Sequence, residues 1–85
     1  MSRYELETQF DSARNFNHKA TVETTKEGLK LYSYNTLVAE IANNEVKIFN
    51  MKSATTLRHI KEFLYQNQIE FTTKKDIKTR FFVGA

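Results

Sequence analysis

The chain has no cysteine, no proline and no tryptophan, and only two glycines in 85 residues. Without cysteine there is no disulfide, no thiolate nucleophile and no cysteine-based zinc or iron–sulfur site, so packing alone must hold the fold. With no proline and so little glycine, turns fall to Asn, Asp, Ser and Thr, whose short side chains bond back to the main chain or tolerate left-handed backbone. Gly28 is placed for a hairpin turn, but Gly28 and Gly84 together cannot build a glycine-rich phosphate loop. Long apolar runs are missing as well. Nothing approaches the roughly 18 residues that would span a bilayer, and MSRYELETQF has no apolar stretch of the signal-peptide kind. These absences predict a cytoplasmic protein without membrane association.

What is present fits one small domain. Apolar residues make up 40% and charged residues 27% of the chain, against globular averages of about 45–50% and about 25%. Two independent cores would need roughly 50 residues or more each, so residues 1–85 are read as a single α+β domain. The net charge of +3 and the isoelectric point near 9.3 give a mild basic bias, compatible with nucleic acid or an acidic protein surface.

The longest strand-like run is Leu29 to Ile41, LKLYSYNTLVAEI. One parity carries Leu29, Leu31, Leu37, Ala39 and Ile41; the other carries Lys30, Tyr32, Tyr34, Val38 and Glu40. Alternation of this kind gives one apolar and one mixed face, with a bend expected at the polar Ser33 to Thr36. Before it, Lys19 to Thr25 alternates around Ala20 and Val22, and Lys26, Glu27 and Gly28 turn the chain. After it, Asn43 and Asn44 signal a hairpin into Val46 and Ile48. At the N-terminus, Tyr4, Leu6 and Phe10 share a strand parity, while Ser2 with Glu5 fits a helix capping box; strand is the reading adopted. Asp11 to His18 reads as a loop with Phe16 plugging the core edge.

The period then changes. Leu57, Ile60 and Leu64 recur at three- and four-residue spacing, with Phe63 widening the stripe, and Ser53 and Asn67 bracket a helix over Ser53–Gln66 as N-cap and left-handed stop. Ile69 and Phe71 dock the chain onto the sheet. Thr73 with Asp76 caps a short helix from about Lys74 to Phe82 through Ile77 and Phe81, with a terminal strand as its alternative. The predicted architecture is an antiparallel β-meander of three to four strands, one main helix on one face, and a short C-terminal helix.

Residues suited to chemistry are sparse. His18 and His59 have no metal-ligand spacing, so no metal or other cofactor is expected. Ser33, His59 and Glu40 can be assembled into a hydrolytic set on paper, but no serine sits in a nucleophile signature. The expectation is a protein that is not an enzyme. Binding surfaces have more content. Tyr32, Tyr34 and Phe49 fall on the sheet face opposite the main helix, with Lys30 and Lys47 beside them, and aromatics among cations can stack single-stranded bases. Lys74, Lys75, Lys78 and Arg80 add a basic end. The plainer alternative is that a chain terminus covers those aromatics as a second small core. Arg58 is expected to pair with Glu62 along the helix.

Two segments also carry a pattern: Ser33, Tyr34, Thr36, Val38 and Ala39 in the strand, then Ser53, Thr55, Thr56, Arg58, His59, Ile60, Phe63 and Leu64 in the helix. Together they resemble small, mostly uncharacterised proteins carried by phages and mobile elements of Gram-positive bacteria. The resemblance covers roughly the middle half of the chain and brings no catalytic residues. It implies a protein acting by binding in the host cytoplasm, with a host or phage protein as partner and inhibition of a host defence nuclease, CRISPR effectors included, as the activity. Contacts would come from Tyr32, Tyr34, Phe49, Lys74, Lys75, Lys78 and Arg80. The alternative is a small basic single-stranded nucleic-acid-binding protein, and monomer and homodimer both stay open.

Overall fold

The computed structural model describes residues 2–83; the readings made of Gly84 and of the Met1 end of the first segment fall outside that range. Five antiparallel strands follow one another as a meander: β1 (Arg3–Glu5), β2 (Ala20–Thr24), β3 (Gly28–Ser33), β4 (Thr36–Ala42) and β5 (Glu45–Ile48), in spatial order β1-β2-β3-β4-β5. The α+β class is as expected, but three to four strands becomes five. Leu29 to Ile41 is not one bent strand. Tyr34 and Asn35 both adopt positive φ, 53° and 68°, so a two-residue turn reverses the chain where a bend was expected. Left-handed backbone at both central residues matches the right-handed twist of the flanking strands. The Asn43–Asn44 hairpin (φ 52° and 65°) forms where the sequence places it.

A second correction concerns the faces of β4. Leu31 pairs with Ala39 and Tyr32 with Leu37, leaving Val38 as an extra residue in a bulge. Val38 therefore turns inward, where it is buried, and Leu37 moves to the face of Tyr32. Strict alternation had given these two residues the opposite faces; one inserted residue exchanges them. At the other end of the β3–β4 pair Gly28 lies against Ala42, and a Cβ there would run into the Ile41 carbonyl oxygen. Only glycine fits so close a backbone approach.

Two helices cover one face of this sheet. α1 (Ala54–Gln66) starts at Ser53, whose hydroxyl accepts the Thr56 N–H, and places Ile60, Phe63 and Leu64 fully inside. It ends with Asn67 bonding the Phe63 carbonyl through its side chain; the left-handed residue is Gln68 (φ 57°), one position later than expected. α2 (Lys74–Phe81) is capped by Thr73, and its Ile77 joins the same core. Both readings of the C-terminal segment hold in part, because past the helix Phe82 bridges Ile48 in parallel and Val83 donates to the Ile48 carbonyl. The core is continuous from Leu6 and Phe16 through Val22, Leu31, Val38 and Ile48 to Ile60, Phe63, Leu64 and Ile77. Each fully buried large side chain stabilises the fold by about 1.5–3 kcal/mol before ordering entropy is counted. No helix among the described residues is long and apolar enough to cross a membrane.

Candidate functional site

The seven residues expected to contact a partner lie in three places. Tyr32 is on the open sheet face, which neither helix covers. Its ring lies under the Arg3 guanidinium at 4.1 Å and its hydroxyl donates to Glu23 at 3.1 Å. The N-terminus thus supplies one covering side chain, whereas α2 lies on the opposite side. Tyr34 does not share that face: it forms the β3–β4 turn, half exposed, with its ring 6.0 Å from the His59 ring and Lys19 Nζ 5.5 Å above it. Phe49 is half-buried just past β5, its N–H bonded to the Val38 carbonyl. Tyr34 has thus left the face that holds Tyr32, and among the described residues no ring pair joins the three.

The register explains what the open face presents instead. Arg3 pairs with Glu23, Glu23 with Lys30, Lys30 with Glu40, and Glu40 with Lys47. Cations and carboxylates alternate across all five strands, each lysine flanked by acid. Cross-strand pairs of opposite charge stabilise a sheet by about 0.2–1 kcal/mol each, and this row leaves little net field for a phosphate backbone.

The remaining four residues are on α2, and there charge is segregated. Lys74, Lys75, Lys78 and Arg80 against Asp76 give its eight residues a net +3, equal to the net charge of the whole chain. The other residues carry nine cations and nine carboxylates and sum to zero. Lys74, Lys75 and Lys78 are exposed, with Lys78 Nζ 6.0 Å from the Phe82 ring. Arg80 folds back, donating to the Glu70 carbonyl at 2.6 Å and to Asp76 at 3.4 Å.

Two polar clusters hold α1 in place. Ser33 Oγ lies 2.8 Å from His59 Nδ1 and 3.3 Å from Thr56 Oγ1, all three residues buried. Two members of the paper hydrolytic set do meet, but Glu40 is in the charged row on the other face. Ser33 and His59, at 2% and 1% exposure, are closed to substrate and tie strand to helix. Burial pushes the His59 imidazole below its ordinary pKa, the nearby charges of Arg58 and Lys19 add to this, and Asp11 opposes it. The second cluster corrects the expected Arg58–Glu62 pair. Glu62, fully buried, accepts the N–H groups of Phe10 and Asp11 at 2.8 Å and the Gln66 side-chain amide at 2.7 Å. Arg58 reaches instead to Asp11 with two hydrogen bonds. That guanidinium holds the Asp11 carboxyl below its usual range, helped by the Ala13 amide and opposed by partial burial. The N-terminal loop is thereby clamped along α1. Among the described residues no group of three or more His, Asp or Glu is placed to hold a metal ion.

This clamp creates a surface that sequence reasoning missed. Phe10, from the held loop, packs at 5.1 Å from Tyr65 on α1 and edge-on at 5.5 Å from Phe71 in the α1–α2 connection. Phe10 and Tyr65 remain 47% and 49% exposed. With Ile69 below and Glu70, Asp76 and Arg80 at one side, they line an open groove of about 1030 Å³. The three rings come from segments more than fifty residues apart at the extremes; the one local signal is Tyr65 on the polar side of the α1 stripe.

No curated protein and no solved structure matched the chain. One family matches residues 4–82, from within the first strand to the residue that follows α2, and so covers all seven elements apart from Arg3. The chain belongs to that family of unknown function, DUF8033.

Proposed function

We propose that the protein acts by binding another protein rather than by catalysis, as an accessory factor of a phage or mobile element that inhibits a host defence nuclease. The observation that carries this reading is the confinement of the net +3 to α2. A short, rigidly capped helix presenting Lys74, Lys75 and Lys78 beside a half-exposed aromatic groove combines a steering charge with apolar contact area, the two ingredients of a specific protein interface. The phage setting and the nuclease target rest on the sequence resemblance alone.

The single-stranded nucleic-acid alternative draws on the same lysines. It is weakened by the departure of Tyr34 to the β3–β4 turn and by the alternation of cations and carboxylates across the sheet face. Filter binding against single- and double-stranded oligonucleotides separates the two. Protein binding predicts no retention at micromolar concentration, whereas retention that falls steeply with salt supports the nucleic-acid reading. Charge reversal at Lys74, Lys75 and Lys78 should then weaken inhibition of the target nuclease at least tenfold while leaving the unfolding midpoint unchanged. Equal inhibition by the reversed variant would remove α2 from the interface.

A further inference from the structure

We infer that the groove between Phe10, Tyr65 and Phe71 is a recognition site for a cationic side chain, an arginine or lysine carried on an exposed segment of a protein partner. The three rings are not stacked. Phe10 meets Phe71 at 75° and Tyr65 at 35°, so they make an open corner rather than parallel faces into which a base could slide. A corner of aromatic faces attracts a cation through the ring quadrupoles and leaves the methylene stem of an Arg or Lys in apolar contact.

Charge complements the rings. In a chain that is basic overall, this groove holds two carboxylates, Glu70 and Asp76, against one guanidinium. That guanidinium is engaged: Arg80 donates to the Glu70 carbonyl and to Asp76, and its carbon centre lies 4.6 Å from the Phe81 ring, outside the aromatic corner. The exposed Glu70 side chain has no hydrogen-bond or ion-pair partner among the described residues. An incoming cation gains the rings and this carboxylate together, while a phosphate meets the same Glu70 carboxylate and finds Arg80 already engaged by Asp76. The α2 lysines point elsewhere: Asp76 and Arg80 share the groove-side stripe of the helix at four-residue spacing, and Lys74, Lys75 and Lys78 fall outside it. The groove is therefore a contact surface distinct from the α2 lysines, although Asp76 and Arg80 of the same helix border it. It rests on the reading that the protein binds a protein partner, and not on nuclease inhibition, which a peptide titration does not measure.

The test uses the full chain, isotope-labelled, titrated with three soluble peptides of one backbone sequence carrying a central arginine, citrulline or glutamate. The arginine peptide is expected to shift the amide resonances of Phe10, Tyr65, Ile69 and Phe71. Citrulline, isosteric but neutral, should bind at least tenfold more weakly, and glutamate not at all. Tyr65→Ser and Glu70→Lys, both at exposed positions, should each weaken the arginine peptide about tenfold. Equal binding of the arginine and citrulline peptides would overturn the proposal in favour of a neutral apolar-anchor site. Shifts of the same resonances by an oligonucleotide would overturn it in favour of nucleic acid. Groove resonances that do not move up to millimolar peptide, or binding indifferent to both substitutions, would overturn it outright.

Discussion

Glu62 and His59 sit one turn apart on α1, and both are polar groups taken out of water for positional reasons. Glu62 satisfies two backbone N–H groups of the N-terminal loop; deleting it leaves those part-buried donors without their acceptor and releases the loop from α1. Glu62→Ala should therefore cost about 2–4 kcal/mol in urea unfolding, with loss of the Phe10–Tyr65 contact as a local signature. His59 gives a pH dependence whose sign follows from its neutral burial. Its pKa is lowered on folding, so the unfolded chain binds the extra proton, and stability is full above the ordinary imidazole value and falls as pH drops below it. Asp11, also held low, adds a second loss further into acid, below the usual carboxylate range. Denaturation midpoints between pH 8 and pH 5 should decline in the native protein and stay flat in His59→Phe. The sequence marks His59 as bordering the buried stripe, and that much was readable. Its Ser33 partner, twenty-six residues away, was not, because it depends on how strand and helix meet; the same holds for the exchange of Glu62 and Asp11 as partners of Arg58.

Among the elements, those with a strong local period were readable from the pattern and those defined by a reversal were not. α1, α2, β2 and the Asn43–Asn44 hairpin follow directly from stripe, cap and turn residues. The β3–β4 hairpin escaped because its turn is Tyr34–Asn35, and a tyrosine in left-handed backbone contradicts the usual turn chemistry. That conformation costs about 1–2 kcal/mol, so Tyr34→Asn should raise stability by about 1 kcal/mol in thermal unfolding. A weakened nuclease inhibition alongside the gain would mark the tyrosine as a contact held at the expense of stability. The bulge at Val38 was equally hidden, since it is one residue inserted into an otherwise regular alternation. Gly28→Ala tests the register from the other end. A methyl group against the Ile41 carbonyl has to push β3 from β4, with a predicted loss of about 2–4 kcal/mol and broadening of the Leu29 and Ile41 resonances.

Taken as one object, the protein separates its surfaces by charge. The sheet face alternates, α2 holds the excess of cations, and the aromatic groove leans acidic. The edges of the sheet are guarded: Phe82 and Val83 occupy part of the β5 edge, and β1 is three residues long with Arg3 and Glu5 on it, features that discourage strand addition. The basic end was readable in the sequence as Lys74, Lys75, Lys78 and Arg80. The groove was not, because it depends on a loop being clamped along a helix by a buried glutamate. We propose that α2 makes this a protein-binding inhibitor. The most direct measurement titrates the native protein and its Lys74→Glu, Lys75→Glu, Lys78→Glu variant into cleavage assays with a panel of purified host defence nucleases, CRISPR effectors included. Inhibition of one of them at micromolar concentration or below is expected, lowered at least tenfold in the variant, with no binding of the nucleic-acid substrate alone. Uninhibited cleavage across the panel, or inhibition traced to capture of the substrate, would contradict it.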